Sequence, residues 1–227
     1  MRVAIQGEAG SFHHLAGRHW YGEDFEIVAC PTFPAVFKAL RTGKADQAVV
    51  AIENSLYGSI NSVYDLISKH GHPIVGELSE RIHQHMIGLP GTKAKAVKAV
   101  VSHPVALEQC SDFLDRFLPK ATRTEYYDTA AAAQLVKTRG DQRYVAIASG
   151  LAAELAGLPV LLRNIENDPH NYTRFVVVAP DGRVPAGANK ASLVLQTSHK
   201  PGALYAALGV FAAAGINLTK LQSRPIT

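Results

Sequence analysis

Short apolar runs alternate with amphipathic stretches along most of this chain. Residues 3–5, 27–29, 48–52, 97–101, 144–148 and 175–178 are rich in Val, Ile and Ala, the pattern of strands buried on both faces. Between them, residues 12–20, 33–41, 59–69, 104–117, 129–137 and 149–156 predict helices. This alternation predicts an α/β fold with largely parallel strands, because parallel neighbours need a crossover connection. In open sheets of that kind ligands bind beyond the carboxyl ends of the strands, which directs attention to the polar strand-to-helix turns.

Those turns share a design. Residues 7–11 follow the first strand, Glu53-Asn54-Ser55 the third and Ser102-His103-Pro104 the fourth. Tyr127-Asp128-Thr129 and Ala148-Ser149-Gly150 open two more helices. Taken singly, Ser, Thr and Asp at such places are ordinary N-caps, each stabilising its helix by about 1 kcal/mol. Several facing one cleft would form an anion site, because each helix start also offers free backbone N–H groups. Residues 180–190 turn to Pro, Gly and Asp and predict a linker. Beyond it the pattern predicts a strand over 191–197, a helix over 203–214 and a second strand from Asn217, one β-α-β unit.

Composition narrows the chemistry. The chain has 227 residues, 47% of them hydrophobic, enough for one large core or two modest ones. A formal charge of +4 without any Lys/Arg run suits a small anionic ligand and argues against nucleic acid. Cys30 and Cys110 fit no disulfide or metal spacing. The paired histidines, His13/His14, His70/His72 and His83/His85, lack acidic or thiol partners at ligand spacing, so no metal is expected. No apolar stretch is long enough to cross a bilayer, and the first residues enter a strand without an apolar leader. A cytoplasmic protein is the expectation.

The most specific segment is Asn171-Tyr172-Thr173-Arg174-Phe175. It resembles the Asn-x-Thr-Arg-Phe signature of the prephenate dehydratase family. Gly10-Ser11-Phe12, Ile52-Glu53-Asn54-Ser55 with Gly58, Ser102-His103-Pro104 with Gln109-Cys110, Asp128-Thr129-Ala130 and Ala146-Ile147-Ala148 resemble further family blocks, in family order. The resemblance implies a catalytic domain over 1–179 whose two lobes flank a cleft, as in periplasmic solute-binding proteins. One lobe would hold about 1–75 plus 168–179, the other about 80–165. Residues 191–227 resemble the first half of a ferredoxin-like ACT domain, through Gly202-Ala203-Leu204 and the segment from Asn217 to Pro225.

The activity so implied converts prephenate to phenylpyruvate, with neither cofactor nor metal. Thr173 is the expected catalytic residue, donating to the departing oxygen. Ser11, Asn54, Ser55, Ser102, His103, Thr129, Asn171, Arg174 and Phe175 are the expected substrate contacts. His103 is equally suited to bracing its turn, Phe175 to the core and Arg174 to holding its loop. Gly202, Ala203, Leu204, Gln222, Ser223 and Arg224 are the expected contacts of an L-phenylalanine effector, although Gln222 stands where the ACT pattern has Glu. A homodimer or homotetramer is expected. Two readings stay open beside this one: arogenate as the substrate, and a non-catalytic sensor on the same scaffold.

Overall fold

The computed structural model describes residues 1–180 and 186–223 and divides into two units, Met1–Ala188 and Asn189–Thr227. The first unit begins with β1 (Arg2–Gln6), α1 (Phe12–Tyr21), β2 (Glu26–Cys30), α2 (Phe33–Arg41) and β3 (Gln47–Asn54). Then come β4 (Gly58–Ser59), α3 (Asn61–His70), β5 (Ile74–Arg81), β6 (His85–Gly88) and β7 (Ala99–Ser102). Next are α4 (Pro104–Gln109), α5 (Ser111–Phe117), β8 (Thr122–Glu125), α6 (Thr129–Arg139) and β9 (Tyr144–Ala148). Finally α7 (Gly150–Ala156) and β10 (Val160–Leu162) precede β11 (Tyr172–Val178).

These strands form two sheets, β2-β1-β3-β11-β5 with β4 added to β3, and β10-β6-β9-β7-β8. Each contains three parallel neighbours, β2-β1-β3 and β9-β7-β8; the alternation predicts all of these strands but β8. Each is completed by antiparallel strands, which the alternation does not predict. Their cause is the chain path. It passes between the sheets twice, at 82–84 and 163–171, and on each entry, as β6 or β11, it runs against the parallel set.

Both faces of each sheet are covered, which is why the strands read as continuous apolar runs. Val3, Ile5, Val49, Ala51, Phe175 and Val177 face α1, while Ala4, Val50, Ile52, Val176 and Val178 face α2 and α3. In the second sheet Val101, Ala146 and Ala148 pack on the alanines of α6 and α7, and Val100, Val145 and Ile147 on α4 and α5. The predicted single helix over 104–117 breaks at Cys110, where Asn167 receives the Asp112 N–H at 3.1 Å and donates to the Ser111 hydroxyl at 2.9 Å.

In the second unit α8 (Ala203–Ala213) follows Gly202, whose φ of 81° suits glycine. The strands expected over 191–197 and from Asn217 do not form among the described residues. An isolated strand has no neighbour to satisfy its backbone N–H and C=O groups, and Leu193, Val194 and Leu195 stay exposed. The expected β-α-β unit is thus reduced to its helix. Among the described residues no helix is long and apolar enough to cross a membrane.

Candidate active site

β3 ends at Asn54, and antiparallel β11 begins at the same place, setting Thr173 opposite Asn54. The register is irregular just there. Phe175 faces Ala51 and Arg174 faces Glu53, leaving Ile52 as an extra residue in β3. Side chains alternate along a strand, so a regular ladder would turn Asn54 away from Thr173; the bulge returns it to the Thr173 face. At this bulge the Ala51 N–H is received by Nε2 of His13, at 3.2 Å.

The Asn54 amide is held at both ends. Its Oδ1 accepts from the N–H groups of Leu56 and Tyr57, at 2.9 and 3.1 Å. Its Nδ2 lies 2.7 Å from Asn171 Oδ1, 3.0 Å from Thr173 Oγ1 and 3.2 Å from the Tyr172 carbonyl. Thr173, buried, therefore accepts from Asn54 and keeps its own proton for another acceptor. Asn171 is 1% exposed, and its Nδ2 has no partner among the described residues.

Three expected substrate contacts are placed elsewhere. Arg174 lies on the opposite face of β11, where its guanidinium meets Glu77 at 2.6 Å and Glu53 at 3.4 Å. Period-two alternation puts it there, because Thr173 faces the other way. Phe175 is 1% exposed, a core residue packed edge-on to His13 with ring centroids 5.1 Å apart. Ser55 donates to the His170 carbonyl and accepts from the Tyr172 N–H, both at 2.9 Å, so it fastens the start of β11.

The remaining donors gather around the loop after β1. Ser11 caps α1, and Ser149 caps α7 while donating to the Gly10 carbonyl at 2.6 Å. Gly7 and Gly10 have φ of 94° and 96°, and a Cβ on Gly7 would lie 2.5 Å from Asp128 Oδ2. Asp128, with Thr129 next to it, caps α6 through the Ala130 and Ala131 N–H groups at 2.8 and 2.9 Å. Burial pushes the Asp128 carboxyl above the usual carboxylate range, against these hydrogen bonds and the nearby His103. His103 caps α4, receiving the Val105 N–H at 3.3 Å, so it does brace its turn. Ser102 is fully buried and donates to the Ile147 carbonyl at 2.6 Å.

Beside Asn171 lies a cleft of about 370 Å³, walled by Tyr57 from the β3–β4 turn, Glu108 and Gln109 from α4, and Glu166 and Asp168 from the second crossing. No Lys or Arg is among its lining residues. Burial first, then the nearby Glu108 carboxylate, pushes the Tyr57 phenol up to about 12. Apart from Asn171, sequence reasoning does not place these residues in the site. Gln109 belongs to a family block, but no pattern assigns it a side-chain role. Of the expected effector contacts, Gly202, Ala203 and Leu204 lie at the start of α8, Gln222 and Ser223 follow it, and Arg224 lies outside the described residues.

The family model for prephenate dehydratase matches residues 3–183. The chain is 39% identical over 227 residues to an arogenate dehydratase/prephenate dehydratase of Arabidopsis thaliana, covering 99% of this chain and 57% of the relative. It is 36% identical to a bifunctional N-acyl-homoserine lactone acylase/prephenate dehydratase of Komagataeibacter europaeus, covering 97% of this chain and 79% of that protein. The solved prephenate dehydratase of Arthrobacter aurescens in complex with L-Phe superposes with a TM-score of 0.86 at 30% identity, covering 99% of this chain and 76% of that one. This chain spans little more than half the length of the plant relatives it matches, 53–57%. The matched residues contain both sheets and every donor gathered around Thr173 and the loop after β1, and on that evidence the chain belongs to the prephenate dehydratase family.

Proposed function

We propose that this chain converts prephenate to phenylpyruvate, releasing carbon dioxide and water without a cofactor or metal ion. The observation that carries the reading is the Thr173 hydroxyl, buried at the carboxyl end of β3 and accepting from Asn54 at 3.0 Å. Hydroxide is a poor leaving group, so a positioned donor has to meet the departing ring oxygen as its C–O bond breaks. The electron pair of the breaking C–CO₂ bond enters the ring as the C–O pair leaves, and the ring becomes aromatic. A threonine hydroxyl is a weak acid. Its contribution rests on orientation and on the hydrogen bond it accepts, which polarises its own O–H.

In this reading Ser11, Asn54, His103, Thr129 and Asn171 surround the substrate, with Asn171 Nδ2 free to meet a carboxylate. Ser55, Ser102, Arg174 and Phe175 support them from behind. The test is phenylpyruvate formation from prephenate by the purified chain. Calorimetric binding of prephenate without turnover would mark a sensor instead.

Arogenate is a second reading with an observation of its own. Glu108, Glu166 and Asp168 wall the cleft without a cation among its lining residues, an environment that favours a side chain bearing an ammonium group. The ratio of kcat/KM for the two substrates decides between them.

The same proposal includes a cytoplasmic homo-oligomer with a catalytic domain over 1–179 and a regulatory segment over 191–227 that takes L-phenylalanine. The Arthrobacter aurescens enzyme, solved in complex with L-Phe, supports the effector. Unchanged activity and unchanged mass in solution on adding phenylalanine would remove it.

A further inference from the structure

We infer that Gln84 is a positioning residue that fixes the amide of Gln109, so that the Gln109 NH₂ group faces the cleft. This rests on the cleft beside Asn171 being the substrate site proposed above.

Gln84 lies in the first crossing between the sheets, and the second crossing holds its backbone from both directions. Its N–H donates to Glu166 Oε2 at 2.9 Å, and its carbonyl accepts from the Ile165 N–H at 2.9 Å. Its side chain is 2% exposed and donates through Nε2 to Gln109 Oε1 at 3.1 Å. Gln109 closes α4 and lines the cleft, and its own backbone carbonyl is tied to the second crossing by the Asn167 N–H at 2.7 Å.

A primary amide offers a donor at one end and an acceptor at the other, in nearly the same shape. A glutamine on a cleft wall can therefore present either polarity, and a neighbour has to choose. With Gln84 bonded at Oε1 of Gln109, the NH₂ group is the end of the Gln109 amide left to meet a ligand. That polarity suits the chemistry, because Glu108, Glu166 and Asp168 already give this wall acceptors, whereas a substrate carboxylate needs donors. Gln84 Oε1 is buried without a partner among the described residues. An unpaired buried acceptor costs stability, so an apolar side chain would serve packing better. The amide's use lies in what it does to Gln109.

The test is a double-mutant cycle read in KM and kcat for prephenate and arogenate, with thermal unfolding of every variant. Gln84→Met keeps the volume and frees the Gln109 amide to turn, whereas Gln84→Glu supplies an acceptor that draws the Gln109 NH₂ away from the cleft. Gln84→Glu is expected to raise KM about tenfold with kcat within about twofold, and Gln84→Met to raise it less. In a Gln109→Met background, Gln84→Met should raise KM no further. Equal effects in both backgrounds, or changes that only track unfolding temperature, would overturn the inference. If the wild type binds prephenate without converting it, the dehydratase reading fails alone, and the same cycle read as Kd still decides the role of Gln84. A wild type that neither binds nor converts either substrate overturns both.

Discussion

Lowering the pH should weaken this fold through one buried imidazole. His13 lies in α1 against the first sheet, and its Nε2 accepts the Ala51 N–H at the bulge that aims Asn54 at Thr173. Burial alone lowers its pKa from 6.5 to about 3. The folded state thus holds His13 neutral over a range in which the unfolded chain protonates it. Between these two values the unfolded state binds more protons, so stability falls as the pH drops below about 6.5. At pH 4.5, two units below the unfolded value, the loss from this group is about 2–3 kcal/mol. Urea unfolding at pH 7 and pH 4.5 measures it, with His13→Gln as the control, since a glutamine carbonyl can also receive the Ala51 N–H but does not titrate. The wild type should lose about 2–3 kcal/mol more than the variant over this interval. An equal loss in both proteins would refute the reasoning and shift acid sensitivity to other groups.

Other outcomes follow from the same geometry. Asn54→Asp keeps an acceptor for the Leu56 and Tyr57 N–H groups but no longer donates to Thr173 or Asn171, so kcat of the folded variant should fall about 10²-fold, with thermal unfolding separating any loss of stability from the kinetic effect. Gly10→Ala meets a φ of 96° and a Cβ position 2.8 Å from Ala152 Cα, so it should destabilise the fold by about 1–3 kcal/mol in chemical denaturation.

The chain's pattern revealed β1, β2, β3, β7, β9 and β11 with their flanking helices, because strands set within the sheets write short apolar runs. It did not reveal β8, whose residues Thr122 to Glu125 are all exposed, nor β10, half-exposed at the sheet edge. An edge strand is defined by backbone pairing, and pairing leaves little trace in side-chain polarity. Thr173 and Asn54 were legible as residues, but their meeting depends on a bulge at Ile52, a matter of register between segments far apart in sequence. Arg174, whose place in the signature suited either a substrate carboxylate or holding its loop, is carried by strand alternation to Glu53 and Glu77 on the other face. Gln84 meets Gln109, a residue of the cleft wall, only because the crossings bring the two segments together, which no local periodicity encodes.

The central claim is that the Thr173 hydroxyl donates its hydrogen bond to the oxygen that leaves. Phenylpyruvate formation at saturating prephenate, compared among wild type, Thr173→Ser and Thr173→Ala, tests it most directly. The serine variant should keep most of the activity, while the alanine variant, folded and binding prephenate normally, should lose about 10²–10³-fold in kcat. An alanine variant that turns over within a few fold of the wild type would contradict it.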